Sequence, residues 1–331
     1  MTVDEGNASP QVAQARRRPN WKRIFEVSFY ALLVLFLLIY LTQIDYNALA
    51  GLKPQWSALA IATVLALAFR YWGAHIWTTL LRSLGARDVR LDAELLYVYA
   101  KSWLGRYIPG TAPWILGKIY FASQRGIPKS KLAISSLLEA ALQIIVQFLF
   151  ALALLAFDPR LDVLSTGMRT TLAIAAVGCL VALVPSVFNA LVSLVYRLAR
   201  RGTLPREHRA SWSTVLKGFG LYSVGAVIGG LSLFFIARTV DGDLPYEQLL
   251  FVMGVSTLAG AVSMLAVFAP GGIGVREGIQ VALLSIVMPT EVAILVAVAT
   301  RLHGVLMDLT FYGSARLLLR RRRRTPTPDA A

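Results

Sequence analysis

The sequence predicts an all-α polytopic membrane protein of two inverted repeats, each of three transmembrane helices plus a Pro-Gly-broken re-entrant helical hairpin. Three observations carry that prediction. Of 331 residues, 56% are hydrophobic and 15% charged, with a mean hydropathy of +0.62, outside the usual globular ranges. The apolar residues gather in runs close to the length that crosses a bilayer. A pattern of prolines, glycines and serines in the first half also recurs in the second at one constant offset, the mark of a duplicated unit. Disordered, disulfide-built and cytosolic enzyme classes are thereby excluded, and Cys179 is the sole cysteine.

Taken in order, the first span is Ile24–Thr42, behind the basic stretch RRRPNWKR. Ala48-Leu49-Ala50 has the small-x-small form of a cleavage site, but the apolar stretch is long for a signal peptide and reads as an anchor. Ser57–Leu81, Leu132–Phe157, Thr170–Tyr196, Thr214–Ala237 and Val292–Leu319 complete six full spans. Two further stretches are apolar but broken: 93–122 by IPG at 108–110, and 247–288 by APGGIG at 269–274. Parity is the same whether each is a re-entrant hairpin or a pair of spans. The Pro-Gly breaks and short flanks favour hairpins, with their non-helical backbone buried in protein or facing a wet cavity.

The net charge of +15 is concentrated. Residues 1–23, 197–209 and the tail from Arg316 carry 12 of those charges, each bordering a span. That is the positive-inside distribution. It places both termini in the cytoplasm and removes nucleic acid as an expected partner. The organisation is a basic tail over 1–23, a first membrane repeat over 24–157, a second over 158–319, and an Arg-rich tail over 320–331.

Within the repeats Pro109-Gly110 aligns with Pro270-Gly271, Gly117 with Gly278, Pro128 with Pro289, Ser102 with Ser263 and Leu104 with Leu265. Three crossings per half is an odd number, so the halves are expected to be inverted, an architecture of secondary transporters. A helix that starts after a Pro-Gly turn aims free N–H groups at its N-terminus, where an anion is favoured. Gly271, Gly272 and Gly274 allow the backbone to approach closely.

Ionisable side chains inside apolar segments cost about 2.5–3.5 kcal/mol or more each at a helix centre and are functional candidates by default. Arg70, Lys101, Arg106, Lys118, Arg276 and Arg301 outnumber Glu139, Glu277 and Asp308. The surplus points to an anionic ligand such as a phosphate or diphosphate headgroup. Glu139, Gln143 and Gln147 form one polar stripe, and Arg301 and Asp308 share a helix face. A Glu139–Arg301 pair across the pseudo-twofold axis is expected, either as part of a site or as a structural ion pair. Arg70, Lys101 and Arg106 have snorkelling to the interface as an equal alternative. His75 and His303 lack companions at metal-ligand spacing, so neither a metal nor a cofactor is expected.

APGGIGVREG at 269–278, followed by a span carrying Arg301, resembles the signature of the lysylphosphatidylglycerol synthetase/flippase transmembrane-region family, the membrane part of the multiple peptide resistance factors. GRYIPG at 105–110 with Lys118 is similar to its first-half motif. The resemblance covers about 20–320 and implies substrate-contacting roles for Pro270, Gly271, Gly272, Gly274, Arg276 and Glu277. It implies a multi-pass protein of a bacterial-type plasma (inner) membrane, associated with translocating modified phospholipids or other lipid-linked substrates. The soluble aminoacyl-transferase domain that follows the membrane part in full-length relatives is not expected here, so aminoacyl-lipid synthesis is not expected and the leading reading is not an enzyme.

The expected function is therefore a lipid transporter or flippase for an anionic phospholipid or lipid-linked glycan. Its expected binding residues are Pro109, Gly110, Lys118, Glu139, Pro270, Gly271, Gly272, Gly274, Arg276, Glu277, Arg301 and Asp308. The alternatives are an accessory subunit of an envelope lipid or glycan synthesis complex, and a membrane transferase. The substrate, the energy source and the oligomeric state are not specified by the sequence.

Overall fold

A computed structural model of the chain describes residues 52–86, 88–107, 112–156, 158–161, 166–200, 204–266 and 272–324. Backbone contacts divide the chain into Met1–Ile44 and Asp45–Ala331, and all described residues belong to the second unit. The expected span Ile24–Thr42, and Pro109, Gly110, Pro270 and Gly271 at the two breaks, lie outside the described residues.

Those residues form ten α-helices: α1 (Trp56–Ser83), α2 (Ala93–Trp103), α3 (Ala112–Ser123), α4 (Lys129–Leu155), α5 (Thr166–Ala182), α6 (Pro185–Arg200), α7 (Trp212–Val240), α8 (Leu249–Leu265), α9 (Val275–Leu284) and α10 (Thr290–Arg324). Local chemistry sets their ends. Gly85 at φ +80° terminates α1, a conformation glycine adopts without penalty. Asp92 accepts from Leu95 N–H at 2.8 Å to cap α2, and Ser211 accepts from Thr214 N–H to cap α7. Prolines 128 and 185, lacking an N–H to donate, stand at the starts of α4 and α6.

Five helical segments are long and apolar enough to cross a membrane: Trp56–Ser83, Lys129–Leu155, Arg206–Val240, Tyr246–Leu265 and Thr290–Arg322. Four match expected spans. The expected single span Thr170–Tyr196 is instead two helices, α5 and α6, bent by 88°. Pro185 breaks the backbone ladder there, and Phe188 and Val192 on one face of α6 turn into the core beside α4. The two broken segments also differ. The leading limb of the second, Tyr246–Leu265, is 20 residues, whereas α2 in the first is 11.

Outside the core, Ile174, Val177 and Leu180 on α5 and Leu302, Leu306 and Leu309 on α10 are exposed. Such continuous apolar faces suit lipid rather than water. On α10 the opposite face carries Arg301, Gly304 and Asp308, so the helix separates lipid from a polar interior.

Helix positions recur at the offset that relates Pro109 to Pro270. α4 begins at Lys129 and α10 at Thr290, while α3 ends at Ser123 and α9 at Leu284, the same separation in both cases. The packing follows the same exchange: α4 on α8 and α10 on α2, α4 on α7 and α10 on α1, α3 on α4 and α9 on α10, with α1 and α7 packed on each other. Gly242 N–H donates to the Lys53 carbonyl at 2.9 Å, which sets the end of α7 beside the start of α1. These two helices therefore run antiparallel.

The molecule has two unlike ends. At one, Asp92 accepts from both terminal nitrogens of Arg125 at 2.9 Å and meets Arg322 at 3.1 Å, while Lys131 donates to the Gly85 carbonyl. At the other, Lys53 pairs with Asp243 and Arg160 with Asp158. The first end carries Arg125, Lys131 and Arg322, and at the second Lys53 and Arg160 each have an acidic partner.

Candidate functional site

Six of the charged side chains among the helices form three pairs, and none is Glu139–Arg301. Arg70 on α1 donates from Nε to Oδ1 of Asp308 on α10 at 2.5 Å, from Nη2 to the Gly304 carbonyl at 2.7 Å, and from Nη1 to the Ala66 carbonyl. Asp308 also accepts from Trp103 Nε1 at 2.9 Å and from the Tyr107 hydroxyl at 2.5 Å. One carboxylate thus ties α1, α2 and the 3₁₀ turn Leu104–Tyr107 to α10. It lies 2% exposed, so its charge is stabilised by these donors rather than by water.

Lys118 on α3 pairs with Glu139 on α4, which also accepts from the Tyr99 hydroxyl at 3.3 Å. The Lys118 ammonium lies 3.9 Å from the Trp114 ring centroid, a cation–π contact. Both charged groups are sealed in the core, 1% and 3% exposed. The third pair is Arg301 with Glu277, 3.6 Å apart and half-buried. Glu277 is additionally the cap of its own helix, its carboxylate accepting from Gly274 N–H at 2.7 Å. The N-terminus of α9 is therefore met by a carboxylate of the same chain.

Arg301 is drawn to Glu277 because α9 packs directly on α10. Glu139 is drawn to Lys118 because α3 packs on α4. The expected cross-axis pair fails on proximity: each of its members has an opposite charge on a nearer helix.

Between the helices lies a cavity of about 200 Å³. Arg70, Arg106 and Arg276 line it, with Gln143 and Gln147 of α4 and Thr300 and His303 of α10. Trp103 and Trp114 supply aromatic wall, and Arg106 stacks 4.3 Å from the Trp103 ring centroid. The remainder is small: Gly225 and Gly229 on α7, and Ser256, Thr257, Gly260 and Ser263 on α8. At Gly260 an added Cβ would sit 3.0 Å from the Gln147 amide oxygen. Gly272, at φ +69°, packs its bare Cα face onto Ser263 and closes the cavity on that side.

Several polar atoms in this wall lack partners. Arg276 Nε, Gln147 Oε1 and Thr300 Oγ1 are shut away from solvent without a hydrogen bond. Arg276 and Arg106 have no acidic partner within ion-pair distance among the described residues. Arg276 feels the Glu277 charge at longer range, and against it those of Arg106, Arg301 and Arg70. Groups of this kind normally find partners. His303 is occupied, its Nε2 lying 3.1 Å from the Thr63 hydroxyl. No group of three His, Cys, Asp or Glu suited to a metal occurs among the described residues.

Of the residues expected to bind, Arg276 and Gly272 line the cavity. Asp308 stands behind its wall, holding Arg70. Glu277 and Arg301 pair beside α9, Gly274 caps that helix, and Lys118 and Glu139 lie in the core apart from the lining. Arg70 and Arg106, for which snorkelling to the interface was an equal alternative, line the cavity, as do Gln143 and Gln147, which the sequence marks only as part of a polar stripe. The four-residue spacing of Glu139, Gln143 and Gln147 was the available signal, since it marks a polar face that lipid would not solvate.

The family whose model matches this chain is described as lysylphosphatidylglycerol synthase TM region, and the match spans residues 22–311. No curated protein matches the chain.

Proposed function

This chain belongs to the lysylphosphatidylglycerol synthase TM region family, and from that premise we propose that it transports a lipid between leaflets, binding an anionic phospholipid or lipid-linked glycan by its headgroup. The observation that carries the proposal is the cavity wall that holds Arg106 and Arg276 outside any ion pair among the described residues. Buried cations are costly unless paired, so a wall with two of them is suited to an anion that comes and goes. At about 200 Å³ the cavity is below the roughly 300–1,000 Å³ typical of sites that enclose a whole drug-sized ligand. It fits a headgroup, with the acyl chains left in the bilayer.

The site is read as binding rather than catalytic, because both oxygens of Asp308 are engaged by Arg70, Trp103 and Tyr107 behind the cavity wall. α1–α4 and α7–α10 are read as inverted repeats. The recurring helix positions, the exchange of packing partners and the antiparallel α1 and α7 support this. Rocking of one repeat on the other would expose the cavity alternately to the two sides. The end bearing Arg125, Lys131 and Arg322 is assigned to the cytoplasm of a bacterial-type plasma membrane, from the positive-inside rule.

The test is dithionite bleaching of fluorescent lipid in proteoliposomes. Wild-type protein is expected to carry bleaching past the half that protein-free vesicles show, and Arg276→Ala and Arg106→Ala to slow it at least tenfold. Bleaching that stops at half across a panel of anionic lipids would falsify transport.

A further inference from the structure

Resting on the transport reading, we infer that the headgroup taken by the cavity is a phosphate ester bearing free hydroxyls, of the phosphoglycerol or phosphosugar kind, and not an aminoacylated or other ammonium-bearing one. An ammonium group needs acceptors around it, with a carboxylate where it is buried. Among the described residues, the carboxylates nearest the cavity are already committed. Asp308 accepts from Arg70, Trp103 and Tyr107. Glu277 accepts from Gly274 N–H and faces Arg301. Glu139 is held by Lys118 and Tyr99.

What the wall offers instead is donor-rich. Arg276 Nε is an unused donor, and the guanidinium groups of Arg106 and Arg276 present planar forks suited to phosphate oxygens. Gln147 Oε1 and Thr300 Oγ1 are unused as well, and both can accept from a hydroxyl. A phosphate satisfies the first set and a vicinal hydroxyl the second, so one polyol phosphate answers all three orphaned atoms. A lysyl or alanyl ester on the same headgroup would bring its ammonium among Arg70, Arg106 and Arg276, where like charges repel. The wall therefore selects against the aminoacylated lipid that the family's description names.

The test compares binding and movement separately. Quenching of tryptophan fluorescence is followed in detergent-purified protein, since Trp103 and Trp114 line the cavity. The probes are short-chain phosphatidylglycerol, phosphatidylinositol, phosphatidic acid, lysyl-phosphatidylglycerol and soluble glycerol 3-phosphate. Phosphatidylglycerol and phosphatidylinositol are expected to bind at least tenfold more tightly than lysyl-phosphatidylglycerol, with phosphatidic acid between them. Gln147→Glu, which adds a carboxylate to the wall at constant size, is expected to narrow that ratio. Thr300→Val is expected to weaken the hydroxyl-bearing lipids towards phosphatidic acid. Equal or tighter binding of lysyl-phosphatidylglycerol by the wild-type protein overturns the inference, as does no binding of any probe. Tight binding without protein-dependent bleaching overturns transport and leaves the headgroup chemistry standing. Soluble glycerol 3-phosphate binding as tightly as the lipids assigns the site to a free phosphate ester, again against transport alone.

Discussion

Arg70 and Asp308, far apart in the chain, meet at 2.5 Å and fix the wall of the cavity, because the same carboxylate also holds Trp103 and Tyr107. The pair is a junction of three helical segments rather than a decoration of one. Its loss should therefore be felt as stability before it is felt as function.

Asp308→Ala leaves the Arg70 guanidinium buried with only carbonyl partners. Breaking a buried pair from one side costs about 3–5 kcal/mol. The double variant Arg70→Met with Asp308→Leu removes both charges and is expected to recover more than half of that loss. Unfolding in detergent, read as a double-mutant cycle, measures the coupling. Simple additivity of the two single variants would count against a direct pair.

The Lys118–Glu139 pair is sealed in the core and absent from the cavity lining. Lys118→Met alone should destabilise by a similar amount, for the same reason. Lys118→Met with Glu139→Leu should regain most of the stability and move lipid within twofold of wild type per folded molecule. A stable double variant that has lost transport would instead return the pair to the binding machinery.

Gly272 and Gly274 both have positive φ, +69° and +84°, but differ in surroundings. A Cβ at Gly272 runs into the Ser263 side chain, whereas at Gly274 nothing lies within 4 Å. Gly274→Ala should cost only the conformational penalty, about 1–2 kcal/mol. Gly272→Ala should cost more, and Ser263→Gly in the same chain should relieve the excess but not the shared part. Melting temperatures of these three variants against wild type separate the two contributions.

Asp92 lies outside the spans. Burial pushes its pKa up, but the Arg125 guanidinium, the Leu95 N–H and Arg322 outweigh that and hold it below the ordinary carboxylate value. A carboxylate lowered in this way contributes stability above its unfolded pKa of about 3.9. That contribution disappears as pH falls through the folded value. Asp92→Asn keeps the helix cap and removes the charge. It should cost about 1 kcal/mol at pH 7, and the gap from wild type should narrow as pH falls below about 3.9. A gap that does not narrow there would mean that the ion pairs are not its source.

The parts of the fold legible in the sequence were those that depend on neighbours along the chain. Hydropathy averaged over the length of a span located α1, α4, α7 and α10 to within a few positions. The bend at Pro185 was written there too, as a proline inside an apolar run. It was overridden because averaging hydropathy across 170–196 hides a single missing N–H. The Glu277 cap was equally local, an acid three residues after a glycine, yet it reads as a ligand group until the helix start is known.

By itself the sequence determined the membrane class, the family, the positions of four long helices and the recurrence of the Pro-Gly pattern, since each rests on local composition and spacing. Only the tertiary structure decided which charges are spent and which are free. Arg70 found Asp308, Lys118 found Glu139 and Arg301 found Glu277, while Arg106 and Arg276 were left facing the cavity. The physical reason is that electrostatic pairing depends on separation in space and on burial. Helices that pack side by side bring together residues that no spacing along the chain relates.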